Sequence, residues 1–133
     1  MSASAQNVEV QAQVAPKAVV ALLDVADLDR SISFYEKLGF EVGNQPLKNE
    51  QGVKTFVWMH RGDAAQIMLT RAGQSLDSGS RHIMFYLYST DMPAYREQLI
   101  SRGITVGEVT HPFWSPDGEF QVEDPDGWVW MVC

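Results

Sequence analysis

The sequence predicts an α+β fold built from two tandem β-α-β-β-β modules, and three observations carry that prediction. Helix-starting aspartates and helix-stopping glycines recur at one offset, since 91 − 27 (Asp27, Asp91) and 103 − 39 (Gly39, Gly103) both equal 64. A strand-like apolar run precedes each helix, and hairpin-like segments follow it. A doubled unit of that size is a supersecondary motif written twice.

Each element has its own signal. Ala18 to Val25, AVVALLDV, is β-branched and apolar enough for a mostly buried strand. Asp27 is a helix N-cap, and Leu28, Ile32, Tyr35 and Leu38 recur at helical spacing up to the stop at Gly39. Phe40 opens the next strand, and residues 53–60 and 64–70 form two more around the turn Arg61-Gly62-Asp63. Such a Gly-Asp pair is turn chemistry before it is an adhesion motif. In the second half Arg81 to Tyr88 is a strand, and Asp91 caps a helix whose Met92, Tyr95 and Leu99 share a face. Ile104-Thr105-Val106 is a short strand. Residues 119–123 and 128–132 make a hairpin about Asp124-Pro125-Asp126-Gly127, with Pro and Gly where a type I turn wants them.

The predicted organisation is an N-terminal arm (1–17) and one domain (18–132), divided into module one (18–71), a linker (72–80) and module two (81–132). The linker is marked by its Gly and Ser content. In the arm, Val8, Val10, Ala12 and Val14 alternate with polar residues up to Pro16, a strand pattern. That strand either returns to its own sheet or exchanges with a second subunit.

Composition excludes several classes. The 133 residues are 45% apolar, enough for a real core without staples. A single cysteine, Cys133, rules out an internal disulfide and any cysteine-cluster metal site, and fits a reducing, cytoplasmic setting. The start MSASAQNVEV lacks the features of a secretory signal, and no apolar run is long enough to span a membrane. A net charge of −7 argues against nucleic acid; it serves solubility first and favours cationic ligands only modestly.

Three stretches, DVADLDRSISFYEKLGFEV (24–42), DMPAYREQLISRGITV (91–106) and GEFQVEDPDGWVWMV (118–132), carry a resemblance to the vicinal oxygen chelate superfamily. That group includes glyoxalase I, extradiol dioxygenases and bleomycin-resistance proteins. The resemblance implies a curled mixed sheet around a central cavity, completed by dimerisation. It also implies four inward positions that bind a divalent ion in metal-using members. The first lies seven residues before the capping Asp27, at Val20, and the third seven before Asp91, at Met84. The second falls at Met68, and the fourth four residues after Gly127, at Met131. Val and three Met do not hold an ion that wants nitrogen and oxygen donors. The expectation is therefore no metal and no cofactor. Were Ser89-Thr90 an insertion, His82 would take the third place alone, and one imidazole is not a site.

Strand parity then reads the cavity wall. Val20 brings Leu22 and Asp24; Met68 brings Gln66 and Thr70; Met84 brings His82, Tyr86 and Tyr88; Met131 brings Val129. Phe56, Trp58 and His60 share a face, as do Glu119 and Gln121, while Trp130 turns to the helix layer and Trp128 to a rim or contact surface. The candidate ligand-binding residues are Trp58, Met68, His82, Met84, Tyr86, Tyr88, Trp114, Glu119, Gln121 and Met131. Phe113 and Trp114, between two prolines, form either a pocket lid or a hydrophobic plug. No residue is assigned a catalytic role.

The favoured function is a metal-free small-molecule-binding homodimer of the glyoxalase/bleomycin-resistance type, sequestering an aromatic or cationic antibiotic-like ligand. Competing readings are a cofactor-independent lyase or isomerase using His82 or Glu119, a metalloenzyme with an atypical site, and an interaction module with a filled interior.

Overall fold

The computed structural model describes residues 18–72 and 83–133. Residues 1–17 and 73–82, which hold the arm, most of the linker and His82, lie outside the described residues.

Module one runs β1 (Ala21–Val25), α1 (Leu28–Leu38), β2 (Glu41–Val42), β3 (Leu47–Lys48), β4 (Lys54–Arg61) and β5 (Ala65–Arg71). Module two runs β6 (Met84–Leu87), α2 (Met92–Ser101), β7 (Phe120–Glu123) and β8 (Val129–Val132). The first sheet is ordered β1-β5-β4-β2, with β3 also on β4, and the second β6-β8-β7. In both, the last strand lies parallel to the first and antiparallel to its hairpin partner. The α+β class and the doubled plan are therefore as expected.

The helix ends follow from the predicted residues. Asp27 accepts from the Arg30 N–H and Asp91 from the Ala94 N–H, each at 3.1 Å, satisfying donors the first turn leaves open. At the other ends Phe40 N–H bonds Tyr35 O at 3.0 Å and Ile104 N–H bonds Leu99 O at 2.9 Å. Those closures place Gly39 at φ 109° and Gly103 at φ 84°, the left-handed region a side chain resists.

One expected strand is reduced. Ile104–Val106 contributes only a bridge, Val106 to Val122, followed by a second isolated bridge, Thr110 to Glu119. Arg96 takes the Gly107 carbonyl at 2.8 Å. Pro112 and Pro116 have no N–H with which to extend a ladder.

Alternation decides which sheet faces are buried. Leu23 and Val25 of β1, Val57 and Met59 of β4, and Ile67 and Leu69 of β5 are at most 2% exposed and pack under α1. Phe120, Val122, Trp130 and Val132 line the same core from the second sheet. The rings of Tyr35, Phe40, Phe85 and Trp130 join the modules, with Phe85 stacked on Trp130 at 4.8 Å. Burying rings of this size contributes about 1.5–3 kcal/mol each, so the two modules hold one core.

The β7–β8 turn pins that core to α1. Asp124 Oδ1 accepts from the backbone N–H of Asp126 and Trp128 at 2.8 Å, and Oδ2 from the Tyr35 hydroxyl at 2.7 Å. Asp126 Oδ1 accepts from the Ala26 N–H at 3.1 Å and Arg30 Nη2 at 3.0 Å. Trp128 Nε1 donates to Asp24 O at 2.9 Å. Trp130 faces the helix layer as expected, while Trp128 lies at the module junction, half-buried beside Phe85.

Candidate ligand-binding faces

Burial on one face of each strand leaves the other open, and strand register shows what stands there. In the first sheet Met68 lies between Leu22 and Trp58 across three strands. In the second, Met131 lies between Tyr86 and Gln121. The two rows correspond, because each sets a methionine of the last strand between its two neighbours on the face away from α1. Leu22 is 55% exposed, Met84 47% and Tyr86 44%, a concentration of bare apolar surface on these faces.

The first row is ordered by local contacts. Trp58 Nε1 donates to Gln66 Oε1 at 3.2 Å, and its ring stacks on His60 at 4.8 Å between centroids, 17° from parallel. Gly43 permits that placement: a Cβ there would stand 2.2 Å from the Trp58 ring. Asn44 Oδ1 also receives the Trp58 N–H at 2.7 Å. Gly43 and Asn44 were not legible as site residues, because a Gly-Asn pair reads simply as a turn. In the second row Tyr86 and Tyr88 stack at 6.3 Å.

The remaining predicted residues divide. Gln121 is exposed beside Met131, and Trp114 is 61% exposed, in edge contact with Phe113 at 5.0 Å. Glu119 is 3% exposed, so it sits beneath the surface instead of forming open wall. Its carboxylate meets the Cys133 thiol, Sγ to Oε1 3.8 Å, a weak donor. Burial, reinforced by the Glu119 charge and opposed by a Ser115 hydrogen bond, holds the Cys133 thiol above its usual range. That group is a thiol and not a reactive thiolate. His82 lies outside the described residues.

Within one chain these faces are open surface. Two clefts among the described residues, about 520 Å³ and about 510 Å³, lie away from these faces: one beside α2 at the module junction, and one beside the start of α1.

The fit to a divalent ion is poor. Val20 and the thioethers of Met68, Met84 and Met131 occupy the four positions at which the resemblance puts ligands, and none offers a hard nitrogen or oxygen donor. Among the described residues no three His, Cys, Asp or Glu side chains are grouped to hold a metal.

Paired strand–helix–hairpin modules, each with one buried and one open sheet face, define a class of α+β proteins with two sheets. The chain belongs to the Glyoxalase/Bleomycin resistance protein/Dioxygenase superfamily, whose family model matches residues 17–132. Solved structures agree on the fold. A bleomycin-binding protein complexed with bleomycin has a TM-score of 0.69 at 20% identity, covering 88% of this chain and 97% of that one. A bleomycin resistance determinant encoded on the transposon Tn5 has 0.70 at 20% identity, covering 88% and 96%. The bleomycin-binding protein of bleomycin-producing Streptomyces verticillus, complexed with copper(II)-bleomycin, has 0.66 at 21% identity, covering 90% and 97%. No curated protein sequence matches the chain.

Proposed function

We propose that the protein is a metal-free small-molecule-binding protein of the bleomycin-resistance type, acting as a homodimer in the cytoplasm. Residues 18–132 form the ligand-binding domain. The observation that carries this reading is the pair of open rows, Leu22–Met68–Trp58 and Tyr86–Met131–Gln121. A second copy covers these faces and leaves a Met- and aromatic-lined cavity between them, the kind of wall that adapts to a large flat or cationic ligand. The net charge of −7 favours a cation. Function by occupancy needs no catalytic group, and the four metal positions offer none of the usual donors.

Bleomycin, bound by two of the structural neighbours, is the first ligand to test. Calorimetric titration with metal-free and copper(II)-loaded drug should show saturable binding that Trp58→Ala weakens. The drug should be recovered with unchanged mass, and dialysis against a chelator should alter neither binding nor Tm. Chemically altered drug, or stoichiometric metal in the purified protein, overturns the reading.

The buried Glu119 supports a second reading, a cofactor-independent lyase or isomerase in which that carboxylate moves a proton. Many turnovers per protein, abolished by Glu119→Gln, would establish it.

A further inference from the structure

The internal repeat sets two helix–hairpin junctions side by side, and they are built differently. Arg61 and Ala65 pair across the β4–β5 turn, and Asp124 N–H bonds Trp128 O at 2.8 Å across the β7–β8 turn, so each encloses three residues. Met68 and Met131 stand opposite first-strand residues 64 apart, Leu22 and Tyr86, which fixes the correspondence of the closing strands at 131 − 68 = 63. Arg61, Asp63 and Ala65 therefore correspond to Asp124, Asp126 and Trp128. Charge is inverted at the first position, and a tryptophan is replaced by alanine at the third.

At the second junction the space is filled. Trp128 packs there, and Asp126 Oδ1 receives the Ala26 N–H and Arg30 Nη2. Thr90 corresponds to Ala26, because 90 − 26 is 64. Among the described residues the Thr90 N–H has no hydrogen-bond partner. Asp63, the counterpart of Asp126, is exposed and does not line this junction, and Ala65 stands for Trp128, so the first junction holds a cleft of about 520 Å³, lined by Arg61, Ala65, Tyr88, Thr90, Tyr95 and Arg102 among others.

The two guanidiniums give this cleft its chemistry. The Arg61 side chain makes no ion pair or hydrogen bond among the described residues. Arg102 donates from Nη1 to Lys37 O at 2.9 Å, leaving its other donors available. Both lie close enough to Tyr95 for their charges to oppose the burial that raises its hydroxyl to about 12. Asp91 also lines the cleft, but its carboxylate is engaged with the Ala94 N–H at 3.1 Å. Two arginines around one concavity match the planar, two-oxygen geometry of a carboxylate.

We propose that this cleft binds a small organic carboxylate, whose oxygens take between Arg61, Arg102 and the Thr90 N–H the place that Asp126 takes at the other junction. Phe40, Leu87 and Tyr88 receive its apolar body. The site is separate from the open sheet faces and does not depend on what binds them.

Benzoate is the probe, with benzamide as its uncharged counterpart and inorganic phosphate as a non-carboxylate anion, each titrated into isotope-labelled full-length protein. Benzoate should shift the Thr90 and Ala65 amide resonances saturably, and benzamide and phosphate should not. Arg61→Gln, an exposed and unpaired position, should weaken benzoate about tenfold, equivalent to about 1.4 kcal/mol. Ala65→Trp, which rebuilds the other junction's filling, should abolish the shifts. No saturable response overturns the proposal, as does an equal response to benzamide or phosphate, or unchanged affinity in Arg61→Gln. Shifts confined to Trp58 and Gln121 also overturn it while leaving the sheet-face reading intact, so the two readings fail separately.

Discussion

The Tyr35 hydroxyl donates to Asp124 Oδ2 at 2.7 Å and accepts from Trp130 Nε1 at 3.1 Å, in a place without solvent. Burial above all, then the charge of Asp124 beside it, pushes the phenol far above its ordinary range. Tyr35→Phe strands two buried groups at once and should cost about 1–3 kcal/mol at neutral pH, read as a lower urea midpoint. The same residue sets an alkaline limit. Its folded-state pKa is raised, so its contribution is complete below the ordinary phenol value of about 10. Above that the unfolded chain releases a proton that the folded chain keeps, and stability falls by up to about 1.4 kcal/mol per pH unit. Tyr35→Phe should lose that part of the alkaline decline, measured by denaturation at matched pH.

The two helices are defined by their ends more than by their middles. Asp27→Ala and Asp91→Ala should each cost about 1 kcal/mol, because each removes the acceptor of an otherwise open N–H. Gly39→Ala should cost a similar amount for a different reason: nothing crowds its Cβ, but φ 109° is strained for any side chain. Gly43→Ala acts through contact instead, since its Cβ would stand 2.2 Å from the Trp58 ring. The ring must then leave its stack on His60, which should appear as a displaced Trp58 indole resonance and weaker binding at the open face. An unmoved resonance would remove Gly43 from the account of that site.

One core and two uncovered sheet faces make a molecule whose interior is complete while part of its surface is not. Substituting Leu22→Glu and Tyr86→Glu together, at positions 55% and 44% exposed, should change monomer stability by no more than about 0.5 kcal/mol per site. If a second copy covers these faces, the same pair should move sedimentation from dimer to monomer, since burying a carboxylate without a partner is costly. A dimer of undiminished strength would place the interface elsewhere. No helix among the described residues is long and apolar enough to cross a membrane.

Much of this protein was legible along the chain because the responsible forces act locally. Caps at Asp27 and Asp91, the stops at Gly39 and Gly103, and strand alternation each depend on a few neighbouring residues. The apolar residues Val20, Met68, Met84 and Met131 were legible as a departure from a ligand pattern for the same reason. The short strand at Ile104–Val106 was less so, because a continuing ladder needs a free acceptor and Arg96 takes the Gly107 carbonyl. The burial of Glu119, the seating of Trp58 over Gly43 and the unfilled junction between Arg61 and Arg102 had no local signal. Each depends on which remote segments meet, and hydrophobic burial, which drives that meeting, is non-directional until packing selects one arrangement. Sequence therefore determined the elements and the face each strand would bury, while tertiary structure decided which open places remain for a partner or a ligand.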